Sequence, residues 1–368
     1  MGCGEKALIM GMPSVIISGV GSCIPTRIVK NEDFLEAEFF QENGERFPDP
    51  NDVIIRKFEK ITGIKERRYA EPGQKASDLG AIAAKNAIED SNIDANDLDY
   101  IIFAHNFGDM QKDNNRIDMM PSLAARVKGH LGITNASTTC YDIIFGCPGW
   151  VQGAIQATQM IRCGDAKNVM VIGGETLSQT VDPHDRDSMI FADGAGATIF
   201  SASETAKGGY ISQCSRTDAN EELCYLAMGP SFNESLNDHG GSYIKMKGRK
   251  IYEYALTNVA EAMKCAIEKA GLELKDINKT LIHQANEKMD EAILHKLFKL
   301  YGTMGDSKAL MPMTIQTLGN SSVATIPTML DMILKGKLEG HKLNSGDNII
   351  FASVGAGMHI NAMVYQMP

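Results

Sequence analysis

Cys147 stands in the segment YDIIFGCPGW (141–150), between Gly146 and Pro148, with a second glycine at Gly149. The preceding run TNASTTCYDIIFG suits a strand, and PGWVQGAIQATQMIRCG suits a helix with Pro148 at its first position and Gly164 at its stop. The thiol therefore falls at a strand-to-helix corner, at the positive end of a helix dipole, where the thiolate is favoured. Gly146 and Gly149 allow a tight corner and close approach of a substrate. Such placement suits nucleophilic acyl transfer. The other cysteines are Cys3, Cys23, Cys140, Cys163, Cys214, Cys224 and Cys265. They show no CxxC spacing and no nearby His pair, so no metal site is expected. They read as reduced, small apolar residues, and Cys140, which lacks such a corner, reads as structural.

A thiolate nucleophile wants partners, and three segments offer them. TLIHQAN places His283 at a strand end, with Asn286 three residues on. TLGNSSVATIPTML puts Asn320 in a Gly/Ser-rich turn just before a helix-compatible run. FASVGAGMHI supplies a glycine-rich turn whose backbone N–H groups could line an oxyanion site. Taken singly, each has a plainer reading: a satisfied core histidine, a good turn residue, a close-packed backbone. His105 reads as a packing or pocket-lining residue.

The elements that must position these groups repeat. Residues 84–105 (AKNAIEDSNIDANDLDYIIFAH) align without a gap on residues 263–284 (MKCAIEKAGLELKDINKTLIHQ), at an offset of 179. Lys85 meets Lys264, Ala87 meets Ala266, Ile88 and Glu89 meet Ile267 and Glu268, and Asp97 meets Asp276. Both segments read as an amphipathic helix, a short acidic turn and an apolar strand. Each half then closes on a similar strand, NVMVIGGE from Asn168 and NIIFASVG from Asn348. The economical explanation is two copies of one α/β unit, residues 1–205 and 206–368, around a pseudo-twofold axis. The apolar runs look buried on both faces, so five layers, α-β-α-β-α, are expected.

Bulk properties narrow the class. A chain of 368 residues with 43% hydrophobic and 22% charged residues is an ordinary globular composition, long enough for two domain-sized halves. A net charge of −10 argues against nucleic acid as the main partner. No apolar run is long enough to span a bilayer, and the N-terminal segment reads neither as a secretion signal nor as a myristoylation site. A cytoplasmic protein is expected.

YDIIFGCPGW, IHQAN, GNSSVATIP and GAG, in that order, resemble the Cys, His and Asn motifs of the β-ketoacyl-acyl carrier protein synthase III family, within the thiolase superfamily. ITGIKERRYA, FADGAGATIF and MKGRKIYEYAL fit as well, so the resemblance runs from about Val15 to Val364. It implies the duplicated thiolase-like fold and a decarboxylating Claisen condensation of a Cys-bound acyl primer with malonyl-acyl carrier protein. That activity is an acyltransferase activity of fatty acid or related biosynthesis, with no cofactor. By the same resemblance Cys147 is the acylated nucleophile, and His283 and Asn320 bind the malonyl thioester carbonyl. The backbone N–H groups of Cys147 and Ala356 form the oxyanion hole. Met120, in IDMMPSLAARV, and Trp150 fall on the acyl pocket, Met120 across a homodimer interface. Lys288 and Lys296 match the basic positions that meet the carrier protein. A solvated helix face is the plainer reading of those lysines.

The pattern departs where the family commonly carries a Trp and an Arg against coenzyme A. Here Lys57 and Ile61 occupy those places, which favours acyl carrier protein over acyl-CoA as primer donor. Met120 stands where the family often has Phe, and Met is easily reshaped, so a primer longer than acetyl is expected. The polar insertions QENGERFPDPND and SFNESLNDHGGS have no readable role. Two other readings share the chain: an acyltransferase of secondary metabolism that uses a different acceptor, and a silent subunit. Retention of Cys147, His283 and Asn320 argues against the second.

Overall fold

A computed structural model describes residues 13–110, 116–235 and 241–368; Cys3 lies outside them. A five-stranded sheet has the spatial order Ser14–Cys23, Asp193–Ser203, Asn168–Thr176, Tyr100–Ala104, Thr139–Ile143. A four-stranded sheet has the order Gly209–Thr217, His359–Gln366, Asn348–Gly355, Ile277–Ile282. The two sheets share one pattern, with two antiparallel pairings followed by a parallel one. The first sheet adds a further parallel strand, Thr139–Ile143, which leads to Cys147.

The repeat in the sequence is a repeat in structure, down to single bonds. The helix Ala76–Ser91 ends at Asn92 with a left-handed φ of 57°, and its counterpart Gly248–Lys269 is followed at the matching position by Gly271 with φ 71°. Asn168 Nδ2 donates to the Asp97 carbonyl at 3.1 Å, and Asn348 Nδ2 donates to the Asp276 carbonyl at 2.9 Å. Each bond ties the closing strand of one half to the acidic turn of that half, satisfying polar groups where a strand enters the core.

Five layers result. The helix Ala76–Ser91 covers the outer face of the first sheet, and Gly248–Lys269 with Glu287–Leu300 covers that of the second. Between the sheets lie Gly149–Cys163 and Thr325–Leu334, whose apolar residues share one core with strands of both sheets. These two central helices are apolar enough to be buried nearly all round, which fixes the corner that precedes each of them. No helix among the described residues is long and apolar enough to cross a membrane.

Candidate active site

Cys147 immediately precedes the helix Gly149–Cys163, with Pro148 as its N-cap and Gly164, at φ 83°, as its stop. The expected corner is present, with Pro148 one place earlier than expected. Gly146 makes the turn with a φ of 63°. It also lets the chain lie against Gly355–Ala356: a methyl on Gly146 would fall 2.7 Å from Ala356 N, and one on Gly355 would fall 2.3 Å from Cys147 N. The two backbone N–H groups expected to form the oxyanion hole thus belong to segments in direct contact.

The corner does not lower the thiol's pKa. Burial outweighs the hydrogen bonds that oppose it and pushes Cys147 up to about 11. Cys147 keeps part of its surface open to the cavity while the surrounding walls displace water. The helix dipole is a modest effect beside the desolvation of a charge, which is why the expected depression is absent.

His283 follows the strand Ile277–Ile282 and continues its ladder by donating its N–H to the Ala352 carbonyl at 2.9 Å. The residue is 4% exposed, and its ring Nδ1 has no hydrogen-bond partner. Burial lowers its pKa to about 4, opposed by a backbone contact with Ser322, so the imidazole is neutral at physiological pH. The next residue, Gln284, holds the chain toward Asn320: its Oε1 accepts Thr314 N at 2.8 Å and its Nε2 donates to Pro312 O at 2.7 Å.

Asn320 is clamped by its backbone to the first half. Its N–H donates to Ile190 O at 3.0 Å, and its carbonyl accepts Ala192 N at 2.8 Å. Its side-chain oxygen accepts the N–H of Ser322 at 2.8 Å. Ser322 links all three expected residues: its N–H is held by Asn320, its hydroxyl favours the Cys147 thiolate, and its backbone favours the protonated His283 ring. Cys147, His283 and Asn320 therefore converge although 173 residues of sequence separate the first from the last.

Cys147 opens into a cavity of about 320 Å³ walled mainly by apolar side chains, among them Phe107, Ile144, Phe145, Leu177, Phe191 and Met228. Phe145 stacks on His359 with ring centroids 4.2 Å apart, and the His359 Nδ1 pairs with Thr217 Oγ1 at 2.9 Å. One wall is the hairpin Leu226–Gly229 and Tyr243–Met246, which contributes Leu226, Ala227, Met228 and Ile244. The insertion 231–242 is the connection of that hairpin, and residues 236–240 of it lie outside the described residues. The other insertion, 41–52, contributes no lining residue to the cavity.

Neither Trp150 nor Met120 lines this chain's cavity. Trp150 is 1% exposed in the central core, 5.6 Å from Phe351 by ring centroids, and does not line the cavity. The helix that carries it turns this position toward the sheets, so the assignment is corrected. Met120 is 87% exposed and outside this chain's cavity. Lys288 and Lys296 lie on the helix Glu287–Leu300, the first exposed and the second half-buried. Lys57 pairs with Asp49 at 2.6 Å, and Ile61 is exposed. His105 is buried structure: its Nδ1 accepts Gly108 N at 2.9 Å, which leaves Nε2 to donate to Asp142 at 3.2 Å.

Three polar residues at the site had no part in the sequence reading: Asn106, Glu175 and Ser322. Glu175 carried a signal, as a lone carboxylate inside the otherwise uncharged strand Asn168–Thr176, where all but the first residue are buried. Asn106 follows His105 at the end of the duplicated segment. Ser322 had none.

Two family models match the chain. That of 3-oxoacyl-[acyl-carrier-protein] synthase III matches residues 141–219, and that of its C-terminal region matches residues 267–367. A beta-ketoacyl-[acyl-carrier-protein] synthase III of Clostridium acetobutylicum is 33% identical over 96% of this chain and 98% of its own. One from Desulfotalea psychrophila is 31% identical over 94% and 97%. The crystal structure of 3-oxoacyl-[acyl-carrier-protein] synthase III from Aquifex aeolicus superposes with a TM-score of 0.77 at 28% identity, over 96% of this chain and 99% of that one.

Proposed function

We propose that this chain, which belongs to the 3-oxoacyl-[acyl-carrier-protein] synthase III family, is a decarboxylating condensing enzyme that extends an acyl primer by a malonyl-derived unit in fatty acid or related biosynthesis. The observation that carries the reading is the grouping of Cys147, His283 and Asn320 around Ser322, with Cys147 and Ser322 lining an apolar cavity and His283 and Asn320 buried behind it.

Cys147 sulfur attacks the carbonyl of an acyl thioester, with the oxyanion held by the N–H groups of Cys147 and Ala356. Collapse expels the carrier thiol, which takes the proton, and leaves an acyl-enzyme. A malonyl thioester then loses carbon dioxide; the electron pair of the broken C–C bond moves into an enolate whose oxygen faces His283 and Asn320. Both are neutral donors, and each contributes about 3 kcal/mol of barrier lowering by the precedent of single oxyanion donors. The enolate carbon attacks the acyl carbonyl, and the Cys147 thiolate leaves, completing the β-ketoacyl thioester. No step calls for a metal or redox cofactor.

The primer and malonyl donors are carried by acyl carrier protein, with acyl-CoA as the other candidate donor; an exposed Ile61 in place of an aromatic surface supports the carrier protein. Lys288 and Lys296 are the docking cations, and Met120 closes the cavity of the second copy in a cytoplasmic homodimer. Its high exposure in the single chain supports that role.

Intact-protein mass after incubation with acyl-acyl carrier protein and acyl-CoA thioesters tests the reading. An adduct on the wild type and none on Cys147→Ala is expected, discharged by malonyl-acyl carrier protein as a β-ketoacyl product. An adduct that malonyl thioester leaves untouched would instead favour transfer to a different acceptor.

A further inference from the structure

Behind Cys147 lies a directed chain of hydrogen bonds. Glu175 Oε1 accepts the backbone N–H of Asn106 at 2.7 Å and its side-chain Nδ2 at 2.5 Å. The same Nδ2 donates to Ser322 Oγ at 3.0 Å. An amide nitrogen has two hydrogens, so both are committed, one to Glu175 and one to Ser322. Ser322 Oγ, once it accepts from Asn106, has its own hydrogen left to donate, and Ser322 lines the same cavity as Cys147, whose thiolate it favours. The direction of every bond is set from the Glu175 end.

We propose that Ser322 is a catalytic residue that donates a hydrogen bond to the Cys147 thiolate, and that Glu175 and Asn106 are positioning residues that aim it. This rests on Cys147 being the nucleophile. Ser322 has a φ of 52°, a left-handed backbone seldom adopted by serine. Such strain persists where the surroundings fix it, and here its effect is to turn the hydroxyl into the cavity beside the thiol. Without that donor the buried thiolate would lack the side-chain hydrogen bond that opposes its desolvation. Glu175 is 1% exposed, and burial, reinforced by nearby negative charge at Cys147, holds its carboxyl well above the usual range. It serves as an acceptor that places Asn106, and the upward shift limits the charge it sets against the thiolate.

Alkylation of Cys147 by iodoacetamide reads the thiolate directly and needs no acyl substrate, so it is separable from the proposed condensation. Its rate is measured from pH 7 to 10 on the full chain, with Cys147→Ala as blank and melting temperature as the folding control. Loss of a charge-assisted hydrogen bond raises the thiol by about one to two pKa units. The higher intrinsic nucleophilicity of a more basic thiolate offsets part of that, leaving a fall of about 3- to 10-fold at fixed pH. Ser322→Ala, Asn106→Ala and Glu175→Ala are each expected to show it, with the profile displaced to higher pH. Glu175→Gln, whose amide oxygen accepts the same two bonds, should restore most of what Glu175→Ala loses. Ser322→Gly, which relieves the backbone, should remain as slow as Ser322→Ala. A Ser322→Ala protein that alkylates at the wild-type rate across the range overturns the proposal, and a Glu175→Gln protein as slow as Glu175→Ala overturns the acceptor role of Glu175. An altered profile with no acyl adduct from any donor would sink the condensing function and leave this inference standing.

Discussion

The side-chain oxygen of Asn320 accepts the backbone N–H of Ser322 at 2.8 Å, and this one bond decides which end of the amide is left for a substrate. An amide nitrogen cannot accept from an N–H, so Nδ2 is the other end, and it is a donor. A donor is what a developing enolate oxygen needs. In Asn320→Asp the carboxylate still accepts from Ser322 but brings a negative charge toward the enolate. Discharge of a preformed acyl-enzyme by malonyl thioester should fall by at least about 100-fold, the scale of one oxyanion donor, while loading of Cys147 stays within a few-fold of wild type. Equal losses in both half-reactions, followed by quenched-flow mass measurement, would contradict that division.

His283 gives a pH prediction with a definite sign. Burial lowers its pKa to about 4, against an ordinary value near 6.5. The neutral donor therefore persists in the folded enzyme down to about pH 5, and the discharge rate should show no acid limb near pH 6.5. Stability behaves differently. Between about 4 and 6.5 the unfolded chain binds the extra proton, so this residue's contribution is full above pH 6.5 and shrinks as the pH falls through that window. Urea titrations of wild type and His283→Gln at pH 7 and pH 5 should show the variant losing less stability on acidification.

Gly355 tests the contact between the two backbone segments. A methyl there would fall 2.3 Å from Cys147 N, far inside contact, with backbone as the neighbour, so nothing flexible can yield. Gly355→Ala should cut the rate of acyl loading by about 100-fold or more through displacement of an oxyanion donor. A loading rate near wild type, with an unchanged circular dichroism spectrum, would place the oxyanion elsewhere.

Trp150 and Phe145 separate core from cavity. Trp150→Ala should lower stability by about 3–5 kcal/mol in chemical denaturation, as large core truncations do, and leave the order of preferred acyl primers unchanged. Phe145→Ala, in the cavity wall, should change that order and cost far less stability. A shift in primer preference on replacing Trp150 would return it to the pocket.

The duplication, the layers and the central strands were legible because burial on both faces writes itself as uninterrupted apolar sequence. The Asn92 and Gly271 helix stops carry the same message in local form. Cys147, His283 and Asn320 were legible by their setting at strand ends and turns. The cavity wall was not: Leu226, Met228 and Ile244 reach it through a hairpin whose connecting residues are polar, and polarity alone reads as a loop. The thiol's pKa was misjudged because a sequence displays the helix that begins beside Cys147 but not the walls that dry it. Trp150 was misplaced because one residue along a helix turns a side chain by about 100°. Ser322, with an unusual backbone angle and no unusual neighbours, left no trace at all.

Asn106 follows the strand Tyr100–Ala104 as His283 follows Ile277–Ile282, and Cys147 precedes one central helix as Ser322 precedes the other. The proposed reaction centre is thus a seam between two homologous halves, to which each gives one residue from just beyond a strand and one from just before a central helix. What was equal in a fused pair has specialised, with the thiol on one side and the donors proposed for the enolate on the other. Neither half owns the chemistry. A polypeptide severed in the link between Ser203 and Gly209 would leave two inert fragments, and turnover would return only on their reassembly.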